Sequence, residues 1–187
     1  MIKLKKTKKK GNGLYDKTIN YLTGSNLKPG EKHVLMLNNS KIKPGNYCGP
    51  GTSILERVKD NIRPINKVDK VCQGHDIRYS LSKNLEGIKE ADKKMVDKLD
   101  QLQKNKEESL FNILPSKYGI KANQLLSKIL PDKYADKFVN YMTDYKDFNK
   151  NLKPEDKKLL EDKLEELKME GYGRKKRSNK VIKNKKK

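Results

Sequence analysis

Three groups of residues have types and spacings that could do chemistry together: the loop Tyr47-Cys48-Gly49-Pro50-Gly51-Thr52, the pair His75-Asp76 with Tyr79 just beyond it, and Asp92. Around Asp92, Ile88, Met95, Leu99 and Leu102 recur at helical spacing, which predicts a helix with Asp92 on its apolar stripe. A carboxylate facing a core is costly unless something pairs with it. His75 and Tyr79, on one face of the preceding predicted helix, are its natural partners. Paired in this way, Asp92 would hold one ring nitrogen of His75 and leave the other to act as a general base. Asp76 points about 100° away around the same helix and is left for another task. Gly49 and Gly51 permit backbone conformations that turn carbonyl oxygens inward. Carbonyls, one carboxylate and water make a hard-oxygen shell suited to calcium.

The elements that must position these groups are mostly helical. One helix is predicted from Asn66 to about Ser82 and a second from Gly87 to Asn105. A third helical region spans Tyr118 to Tyr145, broken at Pro131. A last helix begins at Pro154, carries Leu159, Leu160, Leu164 and Leu167 on one face, and stops at Gly171. Upstream, Leu14 to Leu22 could form a short helix, and His33 to Leu37 a short strand or extended segment. Turn residues stand at Lys28-Pro29-Gly30 and Lys43-Pro44-Gly45. No role is assigned to His33. The fold class expected is mainly α: two antiparallel helices carrying the reactive side chains, a Gly-rich calcium loop, extra C-terminal helices and disordered basic tails.

Of the 187 residues, 37% are charged and 33% hydrophobic, so the core must be small. The net charge of +21 is concentrated at the ends. Residues 1–13 hold six Lys and residues 174–187 hold nine Lys or Arg, neither with any acid, which leaves 30 basic against 24 acidic residues between them. Such segments bury too little surface to offset the entropy of ordering them. No run approaches the roughly 20 apolar residues of a membrane span, and the basic start lacks the apolar region of a secretory signal. Cys48 and Cys72 are the only cysteines, so a single disulfide is possible, and with two His in the chain a zinc site is not expected.

The loop and helix together resemble the phospholipase A2 superfamily. Its calcium loop reads Y-x-G-x-G, matched by Tyr47, Gly49 and Gly51, and its active helix reads D-x-C-C-x-x-H-D-x-C-Y, matched by Asp69, Cys72, His75, Asp76 and Tyr79. The resemblance implies calcium held by the carbonyls of Tyr47, Gly49 and Gly51 and by the Asp76 carboxylate. It implies His75 as the base, Asp92 as its orienting partner, Tyr79 as a brace on Asp92, and a Cys48–Cys72 disulfide. Val71, Arg78 and Ala91 stand where secreted members have further cysteines, and only 16 residues separate His75 from Asp92. Both traits are similar to the compact lipase of parvovirus capsid proteins and related viral proteins. The resemblance spans roughly residues 30–105.

These readings divide the chain into a basic arm (1–13), a phospholipase A2-like domain (14–110), a helical extension (111–171) and a basic tail (172–187). The implied function is calcium-dependent hydrolysis of the sn-2 ester of glycerophospholipids, virus- or mobile-element-encoded and directed at host membranes. The expected partners are a phospholipid surface as substrate and an anionic lipid or nucleic acid at residues 1–13 and 174–187. The expected location is a virion or the host cell. The rival reading is a non-catalytic basic virion protein that binds nucleic acid through its tails. Gly11-Asn12-Gly13 and Gly171-Tyr172-Gly173 mark the junctions of the arms, and Met169-Glu170-Gly171-Tyr172-Gly173 resembles sites cut by adenovirus-type maturation proteases.

Overall fold

The computed structural model describes residues 31, 33–49, 51–129 and 152–169. The helix expected over 14–22, the stretch 130–145, both basic arms and the Gly-x-Gly junctions lie outside these residues. Among the described residues the chain is mainly helical, with one small antiparallel sheet of two strands.

Strands β1 (Leu35–Asn38) and β2 (Lys41–Pro44) form a hairpin in which Leu35 faces Pro44 and Leu37 faces Ile42. Its two turn residues, Asn39 and Ser40, have φ of 47° and 64°, the left-handed pair that suits the twist of a tight hairpin. Lys43 and Pro44 therefore lie in a strand, where the sequence suggested a turn. Pro44 is tolerated because it ends an edge strand. Met36 is fully buried beneath the hairpin.

Among the described residues five helices follow: α1 (Ile54–Lys59), α2 (Lys67–Leu81), α3 (Leu85–Lys104), α4 (Leu110–Ile129) and α5 (Pro154–Met169). Asparagines start both α2 and α3. The Asn66 side chain accepts from the Asp69 amide at 2.8 Å and that of Asn84 from the Gly87 amide at 3.0 Å. Nine of the fifteen residues of α2 are buried, which makes it the central helix. Helix α3 folds back antiparallel along it, so that Lys67, at the start of α2, meets Glu107 and Glu108 beyond the end of α3.

Helix α4 begins eight residues before the Tyr118 start read from the sequence and runs straight through Pro115. A proline there forfeits one amide bond, to the carbonyl of Phe111. Pro115 and Phe111 are both exposed, so water can take that carbonyl. The Asn112 side chain clamps β1, accepting from the Leu37 amide at 2.7 Å and donating to the Leu37 carbonyl at 3.0 Å. Helix α5 lays Leu160 and Leu167 into the same buried cluster as Val68, Ile77 and Leu99, and it packs on α1 and α2. None of the helices described is long and apolar enough to cross a membrane.

Cys48 and Cys72 form a disulfide, with Cα atoms 5.1 Å apart. It ties the Gly-rich loop to α2 across 24 positions of sequence, and closing a loop of that length contributes about 3 kcal/mol.

Candidate active site

The site begins with two facing helices. His75 and Tyr79 lie one turn apart on α2, their ring centroids 4.2 Å from each other. Asp92 comes across from α3, and its Oδ1 lies 2.8 Å from Nε2 of His75 and 2.5 Å from the Tyr79 hydroxyl. One carboxylate oxygen thus accepts from both partners. The His75 and Asp92 side chains are each 9% exposed, so this hydrogen-bonded group is largely shielded from bulk water. Because Asp92 takes the Nε2 proton, Nδ1 is the nitrogen of a neutral His75 that carries the lone pair.

That nitrogen is not simply free. Nδ1 lies 3.3 Å from Oδ1 of Asp76, the next residue along the helix. Burial lowers the pKa of His75, but the hydrogen bonds and charges of Asp76 and Asp92 outweigh it, and the net direction is upward. Burial likewise raises the pKa of Asp76. Its Oδ2 is buried and has no hydrogen-bond partner among the described residues, although the nearby Thr52 hydroxyl favours its charged form.

The Gly-rich loop faces this orphaned oxygen. Gly49 and Gly51 have φ of 153° and 83°, where a Cβ would be strained. The carbonyl oxygens of Tyr47 and Gly49 converge, lying 3.1 Å and 2.9 Å from the same Thr52 hydroxyl oxygen. Among the described residues no three His, Cys, Asp or Glu side chains cluster as a metal site. A cation at this place would therefore rest on backbone oxygens and one carboxylate, a donor set that fits a hard ion such as calcium.

One residue that organises the loop carries more than the sequence pattern assigned to it. Asp69, fully buried on α2, accepts from four backbone amides: Tyr47 at 2.8 Å and Cys48 at 3.1 Å on Oδ1, Asn46 at 2.9 Å and Ile65 at 3.0 Å on Oδ2. It fixes where the loop carbonyls point. A Cβ on Gly45 would sit 2.7 Å from Asp69 Oδ1, so the chain passes that carboxylate too closely for any side chain. Asp69→Asn turns an amide N–H₂ toward backbone donors and leaves at least one of them unpaired. The expected loss is about 3 kcal/mol of stability, read from denaturant unfolding, and the disulfide should persist in the variant.

His33, which the sequence reading left without a role, is also here. It is 4% exposed, its Nδ1 lies 2.5 Å from the Gly45 carbonyl, and its Nε2 lies 3.3 Å from the Thr52 hydroxyl. Burial pushes its pKa down. Glu31 and Arg57 form a buried two-point pair beside it, with Glu31 Oε2 3.9 Å from His33 Nε2. No motif pointed to these residues, because their contacts exist only once the chain has closed on itself.

Comparison with known families matches residues 39–114 to the model of a phospholipase A2-like domain. This segment is a phospholipase A2-like domain. It is of the parvovirus type. The match includes the Gly-rich loop, α2 and α3, and it ends inside α4. Glu31, His33 and β1 precede the matched segment of this phospholipase A2-like domain, and α5 follows it. Neither the curated proteins nor the solved structures contain a match to the chain.

Proposed function

We propose that the protein is a calcium-dependent phospholipase A2 that hydrolyses the sn-2 ester of glycerophospholipids, with His75 as general base. The observation that carries this reading is the hydrogen-bonded set His75–Asp92–Tyr79 placed beside an Asp76 oxygen that has no hydrogen-bond partner among the described residues. Nδ1 of His75 takes a proton from water, and the water oxygen attacks the ester carbonyl carbon. Asp92 accepts the Nε2–H and stabilises the imidazolium that forms. As the ester C–O bond breaks, Nδ1–H returns its proton to the departing glycerol oxygen, giving a free fatty acid and a lysophospholipid. Tyr79 holds the shared carboxylate oxygen of Asp92 in place. Asp76 and the carbonyls of Tyr47, Gly49 and Gly51 would hold calcium. Bound there, the ion would polarise the ester carbonyl and engage the phosphate.

The family type supports a viral or mobile-element source and a host membrane as target. We assign the basic arms at 1–13 and 174–187 to an anionic partner, lipid or nucleic acid, on their charge alone. Fatty-acid release from vesicles labelled at the sn-2 chain tests the main reading. Release should require calcium and cease with a chelator. Release that ignores the chelator, or comes from the sn-1 chain, is inconsistent with it. No release, together with salt-dependent DNA binding, is the outcome that would favour the non-catalytic alternative.

A further inference from the structure

Thr52 sits where the loop oxygens meet, and the direction of its single hydroxyl proton decides what that meeting point can hold. Its oxygen lies 3.1 Å from the Tyr47 carbonyl, 2.9 Å from the Gly49 carbonyl and 3.3 Å from Nε2 of His33. The hydroxyl has one proton to give to these three or to the nearby Asp76 carboxylate. The Gly45 carbonyl can only accept, so His33 Nδ1, 2.5 Å away, carries the ring proton there. In the neutral ring Nε2 is then an acceptor, and it is the one left for the Thr52 proton once a cation occupies the two carbonyls and Asp76. With the proton turned to Nε2 in this way, the lone pairs of Thr52 would face the same point as the two carbonyls to which the hydroxyl otherwise donates. Asp76 Oδ2, buried and without a partner among the described residues, adds a carboxylate to the same neighbourhood. Oxygens that share a calcium ion at 2.3–2.6 Å stand about 3 Å apart, which is the spacing found here.

We infer that the Thr52 hydroxyl oxygen is an additional ligand of the cation site, and that His33, outside the matched segment, is the positioning residue that turns it toward the ion. The inference rests on the calcium reading above. Glu31 and Arg57 complete the device from behind. Glu31 accepts from Arg57 and from the Ser53 amide at 2.9 Å, which fixes the residue following Thr52 beside His33. The loop is thereby tied to a segment upstream of the phospholipase A2-like domain.

Calcium titration calorimetry on the full chain tests this without any measurement of hydrolysis. Thr52→Val should raise the Kd for calcium roughly tenfold, whereas Thr52→Ser, which keeps the hydroxyl, should stay within about twofold. Should the valine variant lose its cooperative unfolding transition in chelator, Thr52→Ala makes the same comparison. His33→Phe should also weaken binding roughly tenfold, and the double variant His33→Phe with Thr52→Val should be no weaker than the worse single. A calcium affinity in Thr52→Val equal to the wild type, with Asp76→Asn binding none, overturns the inference and leaves the calcium reading standing. Equal weakening by serine and valine also overturns it, and additive losses in the double variant remove the role of His33. Absence of calcium binding by the wild-type chain overturns this inference and the calcium reading together.

Discussion

His75→Gln is expected to lower fatty-acid release from vesicles by about three orders of magnitude, within the range a positioned general base supplies. Glutamine is the informative replacement because the histidine is buried and shared. Its Nε2 donates to Asp92, which also receives the Tyr79 hydroxyl. Truncation to alanine would strip a buried carboxylate of one partner and confuse loss of chemistry with loss of fold. A glutamine amide can still donate toward Asp92, yet it has no nitrogen able to accept a proton from water. Calcium affinity should be nearly unchanged, since no proposed ligand is altered. Initial rates on labelled vesicles, with thermal unfolding as the control for fold, measure the effect. Turnover within tenfold of the wild type would remove His75 from the role of base.

The parts of this architecture that could be read from the sequence are those set by local rules. Asn66 and Asn84 open the two central helices because their side chains satisfy amides three residues ahead. Asp92 stood out because a carboxylate on an apolar stripe demands a partner, and His75 and Tyr79 one turn apart were the groups able to provide one. The parts that could not be read depend on distant segments meeting. Lys43-Pro44-Gly45 has the composition of a turn, and only pairing with β1 makes its first two residues strand. Helix α1 is six residues long, too short for its periodicity to register. Helix α4 starts upstream of Tyr118 and includes Pro115, whose missing amide bond falls on an exposed residue in the first turn. The Glu31–Arg57 pair joins residues 26 positions apart and carries no spacing rule at all. Local propensity therefore exposed the candidate reacting groups, while the contacts that Asp69, Thr52 and His33 make with the loop emerged only from the tertiary structure.

Asp76→Asn should separate the cation site from the scaffold, because it and Asp69→Asn are the same chemical change with opposite expectations. Asp69 accepts four backbone amides, so neutralising it costs fold. Asp76 is held differently. Burial already disfavours its charge, and Oδ2 has no partner among the described residues. With a chelator present, Asp76→Asn should therefore change stability by less than about 1 kcal/mol, as expected where no satisfied buried network is broken. With calcium present the two chains should diverge. The wild type should gain stability with rising calcium, because a ligand that binds only the folded state stabilises it by mass action. The variant should gain none over the same range, since it lacks the only carboxylate proposed for the ion, and its affinity should fall by about two orders of magnitude. Hydrolysis should fall in step and recover only partly at very high calcium. The measurement is a pair of thermal unfolding series, each across a calcium titration. Parallel calcium responses in the two chains would show that Asp76 does not hold the ion, and a strongly destabilised variant in chelator would make it a scaffold residue like Asp69.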